Sequence, residues 1–124
     1  MKNENLQIEL TESQLKILCE ATDIVSRLYC GQVDELKKIL GDNICIDTFT
    51  KSMKKFGHNH GILHPETPSQ AKILYDIHQS IRYYLAWKDQ ENTPETRDWK
   101  TQHKVDFDEP LHTSNEPLPK IFKK

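Results

Sequence analysis

The residues of this chain with the most chemical potential are its six histidines and three cysteines. His58, His60 and His64 lie in an H-x-H-x3-H run, a spacing that could offer three imidazoles to zinc or another borderline metal. Glu66 is the only acid close by, and Lys51, Lys54 and Lys55 stand just before the run and repel a dication. The favoured reading is a solvated loop, with the metal site as its alternative. His78-Gln-Ser80 and His112-Thr-Ser114 each match the short H-x-[ST] element of two-histidine phosphoesterases. That element needs the imidazole and the hydroxyl on one face of a strand. The first copy falls in a helical pattern, where positions i and i+2 diverge by about 200°, so the match reads as coincidence. Glu20 with Asp23, and Asp34 with Glu35, are acidic pairs of the kind helical nucleotide pyrophosphatases use for magnesium. Such metal-dependent nucleotide hydrolases gather more carboxylates than these. There is no phosphate-cradling glycine loop, H-E-x-x-H, deaminase signature or nucleophile elbow.

A binding chemistry is better supported. Tyr75, His78 and Arg82 recur at i, i+3 and i+7 and share one side of a helix, with Tyr83 and Trp87 following. An aromatic plate, an imidazole and a guanidinium suit a purine or a phosphate. The bland alternative is that Arg82 pairs with Asp76 or Asp89 and the tyrosines cap the core. Residues 51–60 carry three lysines and no acid. Lys54, Lys55 and His58 would meet an anion beside the start of the same helix, whose N-terminus also favours negative charge. The solvated-face reading stands beside it. The expected ligand is a small phosphorylated molecule, with a cyclic nucleotide as one candidate, and no cofactor is called for.

The elements that position these residues follow from hydrophobic period. Leu6, Ile8 and Leu10 alternate with Gln7 and Glu9, which predicts a strand over 5–10. Thr11 and Gln14 form a capping box. A helix follows with Leu15, Leu18, Ala21, Val25, Leu28 and Tyr29 on one face, stopped by Gly31. Val33, Leu36, Ile39 and Leu40 predict a short second helix, and Phe49, Met53 and Phe56 a third, ending at Gly57. Thr67 as N-cap and Pro68 at the first helical position open a long fourth helix running to about Asp89. Ile73, Leu74, Ile77, Ile81, Tyr84, Leu85 and Trp87 spread over an arc of about 160° on it. This is wider than one packed stripe and predicts a central helix, with Tyr84 and Trp87 turned towards a second subunit. Val105 and Phe107 alternate with Asp106 and Asp108, which predicts a strand over 104–108 pairing with 5–10. Pro110, Pro117 and Pro119 exclude a further long helix. The expected fold is mainly α: four helices, a two-stranded ribbon and an extended arm.

Length and charge set the outer bounds. The 124 residues suit one domain: a helical core over 1–89, and a proline-containing arm over 90–124 packed on it. Seventeen basic against nineteen acidic residues argue against a duplex nucleic-acid binder, which normally carries a basic excess. No apolar run approaches the roughly 18 residues of a membrane span, and the first residues carry no apolar signal core. Cys19, Cys30 and Cys45 contain no C-x-x-C and read as reduced thiols.

Several stretches resemble a small protein family encoded in bacteriophages and prophages. They are Tyr75-Asp-Ile-His-Gln-Ser-Ile-Arg-Tyr-Tyr-Leu-Ala-Trp87, Val105-Asp-Phe-Asp-Glu-Pro110 and Glu116-Pro-Leu-Pro-Lys-Ile121. Leu10-Thr-Glu-Ser-Gln-Leu15 and Ser26-Arg-Leu-Tyr-Cys-Gly-Gln32 are similar as well, while the histidine run is not part of the likeness. The family brings no functional residues with it. The resemblance implies a setting, the cytoplasm of an infected bacterium, and a protein that acts by binding. The expectation is a non-enzymatic homo-oligomer that captures a nucleotide signal of host immunity. An inhibitor of a host protein, using the proline-rich arm, is the second expectation.

Overall fold

The computed structural model describes residues 5–43 and 61–124 and is mainly helical. Helix α1 spans Glu12–Tyr29, a 3-10 turn at Val33–Leu36 leads into the single turn α2 at Lys37–Leu40, and α3 spans Ser69–Trp87. Two further 3-10 turns, Pro94–Thr96 and Val105–Phe107, punctuate the arm. The third helix expected near residues 47–57 lies outside the described residues.

Local chemistry explains where α1 starts and stops. The Gln14 N–H donates to Thr11 Oγ1 at 3.1 Å, and the Thr11 N–H donates to Gln14 Oε1 at 2.9 Å, so the capping box satisfies two otherwise orphan amides. At the far end Gly31 adopts φ 84°. That left-handed turn lets the Gly31 and Gln32 amides return to the Leu28 and Arg27 carbonyls, a Schellman closure.

The start of α3 differs from expectation. Pro68 is the cap residue and Ser69 the first helical position. The Thr67 hydroxyl instead donates to the Gly61 carbonyl at 2.7 Å, closing the loop that leads into the helix.

α1 and α3 form an antiparallel pair. Lys88 Nζ lies 3.3 Å from Glu12 Oε1, Cys19 meets His78, and the Ser26 hydroxyl donates to the Ala71 carbonyl at 2.8 Å. The contact face of α1 matches the expected one only in part: Leu15, Leu28 and Tyr29 are half-buried, whereas Leu18, Ala21 and Val25 are exposed. Thr22, Ile24 and Ser26 are its buried residues, while Ile17, Leu18 and Val25 are exposed. The physical reason is approach distance: Ala71 has 0% exposure, and only small side chains opposite it let the backbones come this close. Hydrophobic period counts apolar positions but is blind to this steric preference.

The expected ribbon is absent among the described residues. Residues 5–10 have no regular secondary structure and no ladder partner, and Leu6 and Ile8 are exposed. Their intended partner, residues 105–107, is a 3-10 turn, so two short alternating stretches fail to find each other. A lone two-stranded ribbon gains little in water. A salt bridge from Lys124 Nζ to Glu9 Oε1 at 2.7 Å links the chain ends instead.

Residues 90–102 fold around the amide of Gln102, which is 2% exposed. Its Oε1 accepts from the Asp98 N–H at 2.8 Å, and its Nε2 donates to Gln90 Oε1 at 2.8 Å. Such a loop is rigid because a buried amide must keep its partners. Ala71→Leu forces α1 and α3 apart, and urea unfolding should show a loss of about 2 kcal/mol.

Candidate functional site

The arm is fastened to α3 by one carboxylate. Asp76 is 2% exposed. Its Oδ1 accepts from the Thr113 N–H at 2.7 Å and from the Thr113 hydroxyl at 2.8 Å. Its Oδ2 accepts from the Ser114 N–H at 2.9 Å and from the Ser114 hydroxyl. Burial opposes the charge, but the Ser114 and Thr113 donors outweigh it and hold the carboxyl below the usual aspartate range. His112 stands 3.8 Å from Oδ2, with its Nε2–H donating to the Glu116 carbonyl.

A ring contact joins the arm to α3, and an ion pair braces the arm internally. The Trp87 indole N–H donates to the Phe107 carbonyl at 3.0 Å, and the two rings meet edge to face at 5.2 Å. Arg97 Nη1 donates to Asp108 Oδ1 at 2.7 Å.

Docked in this way, the arm and α3 enclose a groove of about 370 Å³. Tyr83, Tyr84 and Trp87 supply its helical wall, and Pro110, Leu118 and Pro119 its arm wall. Lys88 is the charged residue lining it; its ammonium is shared with Glu12 and Asp89. Burial, followed by Glu109 and Glu95, pushes the Tyr83 phenol up, so it stays a neutral donor. The volume is at the lower end of small-molecule sites and matches one planar ring system with a short polar extension.

The structure divides the residues expected to form one site. Tyr83 and Trp87 line the groove. His78 lies on the α1 side, with Nδ1 at 2.8 Å from the Cys19 carbonyl and 3.4 Å from the Cys19 sulfur. Arg82 donates to Gln79 Oε1 at 2.6 Å and lies 3.6 Å from Asp106, so its partners are neither Asp76 nor Asp89. Tyr75 is half-buried on the same flank as His78. Lys54, Lys55 and His58 lie outside the described residues, as does His60. His64 Nδ1 accepts from the Glu66 N–H at 3.0 Å. Tyr84 and Trp87, expected to turn towards a second subunit, meet the chain's own arm across the groove. That arm is docked along its own helix at Asp76.

Cys19, His78 and Asp23 have the outline of a nucleophile, base and orienting acid. The geometry works against that use. A carbonyl only accepts, so at 2.8 Å the His78 Nδ1 must carry the proton and cannot take one from the thiol. His78 Nε2 is 3.9 Å from Asp23. Burial, with Asp23 adding to it, raises the Cys19 thiol. The two H-x-S elements do not converge either: His78 faces α1, and His112 with Ser114 belongs to the arm latch. Asp23 pairs with Arg27 at 2.9 Å and Glu35 with Lys38 at 2.6 Å, so one carboxylate of each acidic pair already has a cationic partner. No cluster of three or more metal-ligating side chains occurs among the described residues.

Sequence reasoning missed the latch residues Asp76, Thr113 and Ser114 and the arm wall of the groove. The available signal was an acid at the edge of the apolar arc of α3, one turn from Ser80.

Family models, curated proteins and solved structures contain no match to this chain. No helix among the described residues is long and apolar enough to cross a membrane.

Asp76→Asn places an amide donor against the Ser114 donors and should cost about 2–3 kcal/mol in urea unfolding. The folded carboxyl titrates lower than the unfolded one, so its contribution is complete above the ordinary aspartate pKa. It is lost as pH falls through the depressed folded value. The stability difference between the wild type and the Asp76→Asn variant should therefore shrink on acidification below about pH 4. Cys19 should alkylate with iodoacetamide more slowly than a free cysteine at pH 8, and His78→Ala should not slow it further, as read by peptide mass spectrometry.

Proposed function

We propose that this protein is a non-enzymatic binding protein that sequesters a small phosphorylated aromatic ligand, a nucleotide, as a homo-oligomer. The groove between α3 and the arm carries the reading: three aromatic side chains, two prolines and a lysine around about 370 Å³. Rings of this kind stack on a base, and the Lys88 ammonium, now shared with Glu12 and Asp89, would exchange one of these carboxylates for the attached phosphate. The volume suits one base with its ribose, so a cyclic dinucleotide would seat one half. The reading moves the centre of binding from Tyr75, His78 and Arg82, which lie on the other flank of α3, to Tyr83, Tyr84 and Trp87. The arrangement of Cys19 and His78 supports binding over nucleophilic turnover. The phage resemblance supports the setting, in which capture of an immune signal in the infected cell is useful.

A thermal-shift screen with adenosine monophosphate, cyclic di- and trinucleotides and ADP-ribose tests it. At a hundredfold excess over Kd, one ligand should stabilise the fold by about 2.7 kcal/mol, a shift of several degrees. Tyr84→Ala should remove the shift, and heat denaturation should release the ligand unchanged. A flat response to every nucleotide overturns the proposal, and recovery of a cleaved ligand replaces it with hydrolysis.

A further inference from the structure

Trp99 is the largest exposed apolar side chain among the described residues, at 70% exposure. It sits on a closed turn. The Asp98 carbonyl accepts from the Thr101 N–H at 3.2 Å and from the Gln102 N–H at 2.7 Å. Asp98 Oδ1 accepts from the Lys100 N–H at 2.9 Å, and the Asp98 N–H donates to the buried Gln102 amide. One face of the indole is covered, because the Arg97 guanidinium lies 4.2 Å from the ring centre. Arg97 is held in turn by Asp108 at 2.7 Å, by the Gln102 carbonyl and by the Lys104 carbonyl at 3.5 Å. With Arg97 on one face and most of the residue still exposed, the opposite face is turned to solvent. A ring held this way has little freedom left to lose on binding.

The cations beside this ring are uncommitted. Lys100 follows Trp99 directly, and the Lys104 backbone touches the guanidinium that covers the indole. Both lysines are exposed, and neither ammonium meets a carboxylate among the described residues. The nearest acids in sequence are spent elsewhere: Asp98 on its own turn, Asp106 on Arg82 at 3.6 Å and Asp108 on Arg97. Glu91, Glu95 and Glu109 are the exposed acids that remain in 90–109, and the last two act on the Tyr83 phenol at the groove. They confine the basic surface to 97–104, where Arg97, Lys100 and Lys104 stand against Asp98. An open aromatic face accepts a nucleobase of any identity, and free ammonium groups accept the phosphodiesters beside it. We infer that the 97–104 turn is a stacking platform for single-stranded nucleic acid, with one base on Trp99 and the flanking phosphates on Lys100 and Lys104. Trp99 does not line the α3–arm groove, so this is a second site with its own class of ligand, beyond the capture of a nucleotide. The surrounding acids limit contact to a short stretch of strand, in keeping with a charge balance that disfavours duplex binding.

Fluorescence anisotropy of short labelled oligothymidylate and oligouridylate, titrated with the full chain, tests this. Affinity should fall about sevenfold between roughly 50 and 200 mM salt, the dependence given by two phosphates neutralised on a single strand. Trp99→Ala, a change at an exposed side chain, should weaken binding about tenfold, and Trp99→Phe should recover much of the loss. Lys100→Gln combined with Lys104→Gln should flatten the salt dependence. An abasic strand of the same length should bind the wild type no better than the intact strand binds Trp99→Ala. If thermal melting shows Trp99→Ala loosened, Trp99→Phe and the abasic strand carry the test. Tighter binding of one strand names RNA or DNA as the source, and equal binding assigns the site to the base and phosphodiester they share. No binding of either strand at the lower salt overturns the inference. So does an abasic strand that binds like the intact one, a Trp99→Ala variant of wild-type affinity, or binding to phosphatidylglycerol vesicles in place of the strands.

Discussion

The carboxylate of Asp76 is the constraint on which the rest of the arrangement hangs. A buried anion is costly unless its oxygens are met by donors, and here all four donors come from two consecutive residues of the arm. The helix therefore demands the arm in one register. Once Thr113 and Ser114 are placed, Pro110 on one side and Leu118 and Pro119 on the other face the aromatic row of α3. The groove is a consequence of satisfying one charge.

The second constraint is the closeness of α1 and α3. Ala71 and Ser26 bring two backbones together, and Ile17, Leu18 and Val25 of α1 stay exposed while Ile24 is buried. The buried centre of the helix pair therefore mixes small and polar residues with Ile24 and Ile81. This is why the buried set includes Thr22, Ser26, Gln79 and Ser80.

What can be read from sequence is what is settled locally. The Thr11–Gln14 box, the Gly31 stop and the long helix ending near Trp87 depend on residues within one or two turns. The face of α1 is misread because period ranks greasiness and not size. Residues 5–10 and 104–108 alternate well enough, but a strand exists only through its partner, and pairing across a hundred residues is invisible in either segment. The site fails in a similar way. Tyr75, His78 and Arg82 share a stripe with each other, whereas Tyr83 and Trp87 share theirs with the arm, so the residues grouped by sequence divide between two flanks of one helix. Asp76 and Ser114 lie 38 residues apart, and nothing local to either announces the other.

The sequence distance between the latch and its donors also sets a hierarchy of opening. Releasing residues 110–121 breaks side-chain hydrogen bonds to Asp76 and leaves every backbone bond of α3 intact. Such an arrangement is the kind that opens as a sub-global unit while the helix pair stays folded. In the proposed binding role, a wall built on such a unit would let one side of the groove widen and close while the helix pair keeps its fold.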